Sequence, residues 1–476
     1  MRKLPNSTPT GRRRFLQRVT WAGAGVLGGG AALNAITPLA IRPDRDFEAN
    51  VSYWARSLPP PAASLGSDRD ADVVVIGGGL TGLATAYHLR KAMPGKRVLL
   101  LEAAICGNGA SGRNGGMVLT MTEDRYMRLQ DAALDRRIYE LTADNIAALQ
   151  ALASQQGIDC ELEQNGALQT LCSSEQVEEA REFCSRARDA GFPFEYWDRE
   201  RTAATIGTRG YVGALFDPRG GQVHPGKLVG LWKAAAIAAG VDIHDNTPVV
   251  DIDAGATHRV RTATGYRVRT PVLVLATNAY TSRLGYLRGA VAPIFDYVGI
   301  TPVLREAQLT TAGWSALIPF NDNRTETHYA GLTRDGRIHF GGGRVDYSFN
   351  DGMRARPGAA GRYADLHGEF ARLFPSLSDV GFESVWNGSV DMSLDGSPSV
   401  GSIGRHGNVF YAIGFSGHGV NLASVCGRII ADLVVGAGAQ WAWLPFVNRL
   451  PPNIPNEPFR WLGIEAGLAY TRWVEG

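Results

Sequence analysis

The chain has 476 residues, 45% hydrophobic and 20% charged, with a formal net charge of +2. That length buries a large core and implies more than one domain, and the composition is that of a globular protein rather than a disordered or fibrous one. The net charge misleads: the first 42 residues hold seven of the 48 basic side chains and no acid, leaving 41 basic against 46 acidic residues and a net of −5 beyond them. No basic surface and no aromatic-basic stripe for nucleic acid is expected. The five cysteines make no C-x-x-C pair and no zinc spacing, so buried unpaired thiols are expected and no metal site.

Residues 1–42 read as a targeting segment. Gly11-Arg12-Arg13-Arg14-Phe15-Leu16-Gln17 resembles the twin-arginine export motif, and a Gly/Ala-rich apolar stretch follows from Val19 to Ala40. That route carries proteins already folded with cofactor inside, so the expected location is the periplasm. No clear cleavage site follows, and 22 mildly apolar residues can also stay behind as a membrane anchor. Residues 43–70 read as a linker with a short arm, Ser52-Tyr53-Trp54-Ala55.

The next segment carries the strongest signal. Ala71-Asp72-Val73-Val74-Val75-Ile76 reads as a strand, Gly77-Gly78-Gly79-Leu80-Thr81-Gly82 as a G-x-G-x-x-G turn entering a helix, and Val98-Leu99-Leu100-Leu101 as a second strand tipped by Glu102. Gly77 permits the tight turn, Gly79 lets a pyrophosphate reach bare backbone, and Gly82 lets helix and strand pack closely. Leu80 and Thr81 open the helix, whose positive N-terminal end suits phosphate. Glu102 stands about 20 residues on, where an acid binds ribose hydroxyls and repels a 2′-phosphate, which favours FAD or NAD over NADP. A purely structural glycine turn is the alternative.

Further along, apolar spacing predicts helices at 127–156 and 175–190 around a strand at 166–171. A turn-rich crossover, 216–225, opens a helix from Pro225 to Ala239. His258–Thr262 and Tyr266–Thr270 alternate around Thr264-Gly265 as a hairpin. Val272–Ala276 is apolar throughout and reads as a central strand. Several β-like runs follow between 290 and 380, including Ile338–Arg344. Val409–Ile413 then turns through Gly414-Phe415-Ser416-Gly417-His418-Gly419 into a helix from Val420 to Val435.

The predicted architecture is α/β. A Rossmann-like nucleotide-binding domain is assembled from 71–155, 215–285 and 380–436. An α+β substrate domain with a mixed or antiparallel sheet is formed by 156–214 and 286–379, and 437–476 form a C-terminal extension. The site is expected between the domains, at the carboxyl ends of the parallel strands.

Four motifs together suggest a family. They are Ala110-Ser111-Gly112-Arg113-Asn114-Gly115-Gly116, Gly221-Gln222-Val223-His224-Pro225, Leu275-Ala276-Thr277-Asn278-Ala279-Tyr280 and the 414–419 turn. With them the chain resembles the FAD-dependent amine oxidoreductases of the D-amino-acid oxidase, glycine oxidase and sarcosine oxidase superfamily. Within it the chain is most similar to the gamma-glutamylputrescine oxidase branch, which the Tyr53-Trp54-Ala55 arm and the Pro458–Gly463 tail also fit.

The resemblance implies that Ser111, Gly112, Arg113, Asn114, Gly115, Gly116 and Met117 wrap the ribityl and pyrophosphate. It implies that Val250 presents backbone to adenine and that Ala276 and Thr277 close the central strand against the cofactor. Arg113 is expected to offset phosphate charge or to meet a substrate carboxylate, or else to be a surface arginine. Gly414, Gly417, Gly419 and Val420 are expected to bring amide donors and a positive helix end to the flavin, whose reduced form carries negative charge. His418, the ionisable side chain of that turn, either contacts substrate as a candidate catalytic residue or caps the helix. His224 is expected to be a cap. Arg334, Arg337 and Arg344 are candidates for an anionic substrate, with a solvated strand face as the alternative.

The implied reaction is oxidation of a C–N bond in an amine or amino acid, the electrons passing on to O2 or a membrane quinone. No cysteine stands in Trp386–Asp391, where sarcosine oxidases attach flavin, and the first loop lacks the histidine used by dimethylglycine dehydrogenases, so FAD is expected to be non-covalent. A nicotinamide-dependent dehydrogenase and a non-catalytic flavoprotein are the alternative functions.

Overall fold

A computed structural model describes residues 52–354 and 359–475. The targeting segment 1–42 and the start of the linker lie outside the described residues.

Four strands, buried at every position except the half-buried Val272, are the centre of the first domain. Val73–Ile76, Val98–Leu101, Val272–Leu275 and Val409–Ile413 are runs of β-branched and other apolar residues without polar alternation, the pattern of strands covered on both faces. They lie in a six-stranded sheet ordered Ser399–Ile403, Val409–Ile413, Val272–Leu275, Val73–Ile76, Val98–Leu101, Asp242–His244. All pairings are parallel except Ser399–Ile403 against Val409–Ile413. Helices Leu80–Ala92, Pro225–Ala238 and Gly419–Val434 pack together on this domain, the first and last in extensive contact.

The hairpin His258–Thr262 with Arg267–Thr270 forms as expected, in the register Arg261↔Arg267. It belongs to a small sheet whose other edge is Arg69–Asp70. The segment before Val73 is therefore no free linker. Ala62 N–H donates to Asp245 (2.6 Å), and the buried Lys233 ammonium holds both Pro60 O (2.8 Å) and Asp245 (2.7 Å).

The second domain is built on a nine-stranded sheet, mostly antiparallel, counted among the described residues. It departs from the expected boundaries in two places. Ser384–Met392, assigned to the nucleotide fold, pairs along nine residues with Ala292–Ile300. Gly213–Asp217 pairs with Ala167–Leu171 and Glu195–Asp198 in the same sheet. Neighbourhood in sequence puts 384–392 and 215–217 with the nucleotide fold, whereas hydrogen bonding to distant partners decides sheet membership. The large sheet thus reaches into the seam, and its residues wall the cavity there.

Helix ends follow local chemistry. The helix expected from 127 begins at Ala132, because Asp131 caps it through Leu134 N (3.2 Å) while Met127 and Leu129 take positive φ values that a helix does not allow. The five cysteines are free, four of them buried.

Candidate active site

The first glycine turn is shaped by what its glycines omit. Gly77 has φ +105°, and a Cβ there would stand 2.4 Å from Ala276 O. A Cβ on Gly82 would stand 1.9 Å from Gly77 O, so the helix lies against the turn only because no side chain intervenes. Glu102 leaves its strand and turns back. Its carboxylate accepts from Gly78 N (2.6 Å) and Ala104 N (2.9 Å), while burial, the larger influence, pushes its pKa up.

The 107–117 loop is tied from every side. Ser111 Oγ accepts from Leu80 N (3.0 Å), joining the loop to the helix start. The Asn114 amide donates to Ala110 O (3.0 Å) and Ser111 O (2.8 Å) and accepts from Gly116 N (2.8 Å). Trp54 of the arm donates its indole N–H to Asn114 O (2.9 Å), Ser52 Oγ donates to Gly112 O (2.7 Å), and Trp386 of the large sheet donates to Arg113 O (2.8 Å). Arg113 directs Nε to Asn108 O (2.6 Å) and Nη1 to Asn387 O (3.0 Å). It borders the cavity, but these donors are committed to backbone carbonyls rather than to a phosphate or a substrate.

At the far end, Gly414 (φ +83°), Ser416 (φ +51°) and Gly417 (φ +97°) bend the chain into the helix Gly419–Val434. His418 is its N-cap residue. The His418 Nδ1 atom lies 2.8 Å from Glu123 Oε2, with both side chains buried, and the ring sits 5.2 Å from that of Tyr126. No acid occupies the first turn of the helix, so its positive end stays uncompensated from within.

One cavity runs from Glu102 and the first turn, past Ala276 and Thr277, to Gly417, His418 and Gly419. Gly77, Gly79, Leu80 and Thr81 line it at one end, Ser111, Asn114, Gly115 and Met117 along one side, and Val420 at the other end. Gly82, Gly112, Gly116 and Gly414 stand behind the wall. Val250 is displaced: a bulge between Val249 and Asp251 shifts the register, and Val249, 2% exposed, is the residue that borders the cavity. The large sheet contributes Asp296, Tyr329 and Asn387, with Tyr329 donating to Asp296 Oδ2 (2.9 Å).

A family model described as "FAD dependent oxidoreductase" matches residues 72–433. The chain belongs to that family. It is 30% identical to a probable oxidoreductase OrdL of Haemophilus influenzae, over 77% of this chain and 83% of that protein. It is 29% identical to the gamma-glutamylputrescine oxidoreductase of Escherichia coli, over 87% and 93%. The fold superposes on a crystal structure of glycine oxidase from Geobacillus kaustophilus with a TM-score of 0.68, at 22% identity, covering 80% of this chain and 98% of that one.

As an FAD-dependent oxidoreductase, the chain needs an extended dinucleotide slot, and the residues present fit one. The bare backbone at Gly79, where a Cβ would meet Ser111 Oγ at 2.8 Å, leaves room for close approach at a helix N-terminus. The Glu102 carboxylate, though it accepts backbone amides, keeps acceptor capacity for a ribose hydroxyl. The starts of the helices Leu80–Ala92 and Gly419–Val434 both line the same cavity.

The remaining candidates fall away from the cavity. His224 caps the helix Pro225–Ala238 by accepting from Lys227 N (3.3 Å) and stacks edge-on with Trp54. Arg334 pairs with Asp159 and Glu163, Arg337 with Asp335 and Glu383, and Arg344 lies 3.6 Å from Asp365 with half its side chain exposed. All three sit in the turns that flank the strands His328–Leu332, Ile338–Gly342 and Asp346–Tyr347, facing carboxylates rather than the cavity. Glu123, Tyr329, Asp296 and Asp391 went unnoticed in the sequence, since single acids and tyrosines outside a motif look alike whether or not they face a cavity. Asp391 alone left a trace, an acid between Val390 and Met392 in an otherwise weakly polar strand.

Proposed function

We propose that this FAD-dependent oxidoreductase oxidises a C–N bond in an amine or amino acid and holds its FAD without a covalent link. The observation that carries the reading is the single cavity with a glycine turn and helix N-terminus at each end, closed by side chains of the large sheet. Held between the Gly77–Gly82 turn and the Gly417–Gly419 turn, bound FAD would supply the two-electron acceptor for the C–H bond next to the amine nitrogen, and hydrolysis of the imine product would give a carbonyl compound.

The chain's own residues set the stage for that chemistry. Glu102 and the Gly77–Gly82 turn hold the ribose and phosphates. The amides of Gly417 and Gly419 offer donors where negative charge grows on reduction. Met117, Phe295 and Met353 narrow the slot with apolar surface, while Tyr329, Asp296 and Asn387 supply hydrogen bonds that orient a polar substrate. His418, with its Nδ1 2.8 Å from Glu123 Oε2, is the ionisable side chain at the ring end and the candidate for contact with the amine.

The likeness to gamma-glutamylputrescine oxidoreductase supports an amine of the polyamine type as the first substrate to try. Electrons leave to O2 or to a membrane quinone. The Arg12-Arg13 leader supports export to the periplasm, with the 22-residue stretch 19–40 long enough to serve as an anchor.

Purified protein is expected to be yellow and to bleach anaerobically with a member of a panel of polyamine derivatives, N-methyl amines and amino acids. A flavin band that no C–N substrate reduces overturns the proposal. Acid precipitation is expected to leave the flavin in the supernatant, and flavin in the pellet would show a covalent link.

A further inference from the structure

Asp391 is a residue of the large sheet whose hydrogen bonds lie in the other domain. It sits opposite Pro293 near the end of the strand Ser384–Met392. Its Oδ2 accepts from Gly414 N (2.6 Å), its carboxyl also takes hydrogen bonds from Phe415 N–H and the Asn278 side chain, and its backbone O accepts from Ser416 N (3.3 Å). Next to it, Ser393 N donates to Ser416 Oγ (3.1 Å). The side chain is 1% exposed yet borders the cavity.

The turn it holds is conformationally costly. Three of its first four residues have positive φ, one of them the non-glycine Ser416, and such a backbone persists only where surrounding bonds over-determine it. Asp391 supplies three of those bonds. It does so while burying a carboxyl that is bonded to amides rather than to cations. Burial raises its pKa to about 7 against the pull of those amides. The titratable groups around it are few. Cys426, from the helix Gly419–Val434, is itself pushed up by burial and stays a neutral thiol, and the His418–Glu123 pair lies across the turn. Pro293, Asn278, Ser393 and Ser416, facing it from the other elements, do not titrate.

We propose that Asp391 is a positioning residue that fixes the flavin-facing turn Gly414–Gly419 and whose charge sets how readily the bound FAD is reduced. The proposal rests on the reading that the flavin ring lies against Gly417–Gly419. With the carboxylate ionised behind the turn, negative charge arriving on the ring is opposed. With the carboxyl protonated, the same bonds to Gly414 and Phe415 persist in weaker form and that opposition disappears. One buried group therefore couples ambient pH to the oxidising power of the cofactor without touching substrate.

The test is the midpoint potential of FAD in the purified holoenzyme, by equilibration with reference dyes at about pH 5.5 and about pH 8.5, for wild type, Asp391→Asn and His418→Gln. At the higher pH, Asp391→Asn is expected to shift the reduced-to-oxidised ratio at least tenfold toward reduction, which is about 30 mV for a two-electron couple. At the lower pH the difference from wild type is expected to shrink several-fold. Equal potentials at both pH values in folded, FAD-loaded Asp391→Asn overturn the proposal.

His418→Gln separates the two layers of the argument. If it changes neither the potential nor the visible flavin spectrum, the placement of the ring at this turn is wrong. If it changes them while Asp391→Asn does not, only the role of Asp391 is wrong. Should Asp391→Asn fail to retain FAD, Asp391→Ser, which also removes the charge, is titrated in its place and read by the same two outcomes relative to wild type.

Discussion

A methyl group on Gly82 would stand 1.9 Å from Gly77 O, an approach that only a shift of the helix or the turn relieves. Overpacking of this kind costs roughly 1–3 kcal/mol. Gly82→Ala is therefore expected to weaken FAD binding by about 10-fold or more, read as the flavin fraction lost on dialysis. Asp391 makes a prediction about stability. Its folded-state pKa of about 7 lies above the ordinary carboxylate value of ~3.9, so as pH rises the unfolded chain loses this proton first. Its contribution is most favourable below about pH 4, declines between about pH 4 and 7, and is constant above. Asp391→Asn is expected to remove that part of the slope, at most about 4 kcal/mol in all, in denaturant titrations across that range. The sequence disclosed Gly82 through its spacing from Gly77. It disclosed nothing of the Asp391 environment, because the donors to that carboxyl come from residues 23 and 24 positions away and from Asn278.

Among elements, the C-terminal helix Phe459–Glu475 has a function that its sequence does not advertise. Arg460 binds both carboxylate oxygens of Asp351 (2.6 and 2.5 Å), and Glu457 accepts from Asn350 N (2.9 Å) and Trp461 N (3.0 Å) and bonds the Tyr347 hydroxyl. The segment so clamped carries Met353, which lines the cavity. Removing one partner of a buried ion pair costs ~3–5 kcal/mol locally. Arg460→Met is expected to raise KM several-fold while the FAD content and visible spectrum stay as in wild type. An unchanged KM would mean that the clamp is structural only. The arm acts at the other end in a similar way: Trp54, 2% exposed, packs against Trp386 and His224 and fixes the flavin loop through Asn114. Element type was readable from local pattern. The all-apolar strand 272–275, the hairpin at Thr264-Gly265 and the helix after Gly419 all stand where expected, because periodicity and turn residues are local signals. The shift from Val250 to Val249 was not readable, since a bulge depends on the partner strand.

For the whole molecule, the leader and the folded body make separate claims. No helix among the described residues is long and apolar enough to cross a membrane. Replacing Arg12 and Arg13 with lysine is expected to shift the protein, by fractionation and immunoblot, from the periplasmic or membrane fraction to the cytoplasm, with FAD still bound. Unchanged export would refute the twin-arginine reading. The split domain shows what each level of information decides. The sequence by itself determined the dinucleotide turn, the acid at Glu102, the second glycine turn and the α/β class, because each is encoded in contiguous residues whose backbone or periodicity requirements are local. Tertiary structure alone decided that Ser384–Met392 belongs to the large sheet, that Arg113 is committed to Asn108 and Asn387, that Glu123 meets His418, and that Asp391 holds the turn at Gly414. Apart from the local bond of Arg113 to Asn108, those pairings join residues separated in the chain, and only the tertiary fold around the cavity brings them within hydrogen-bonding distance.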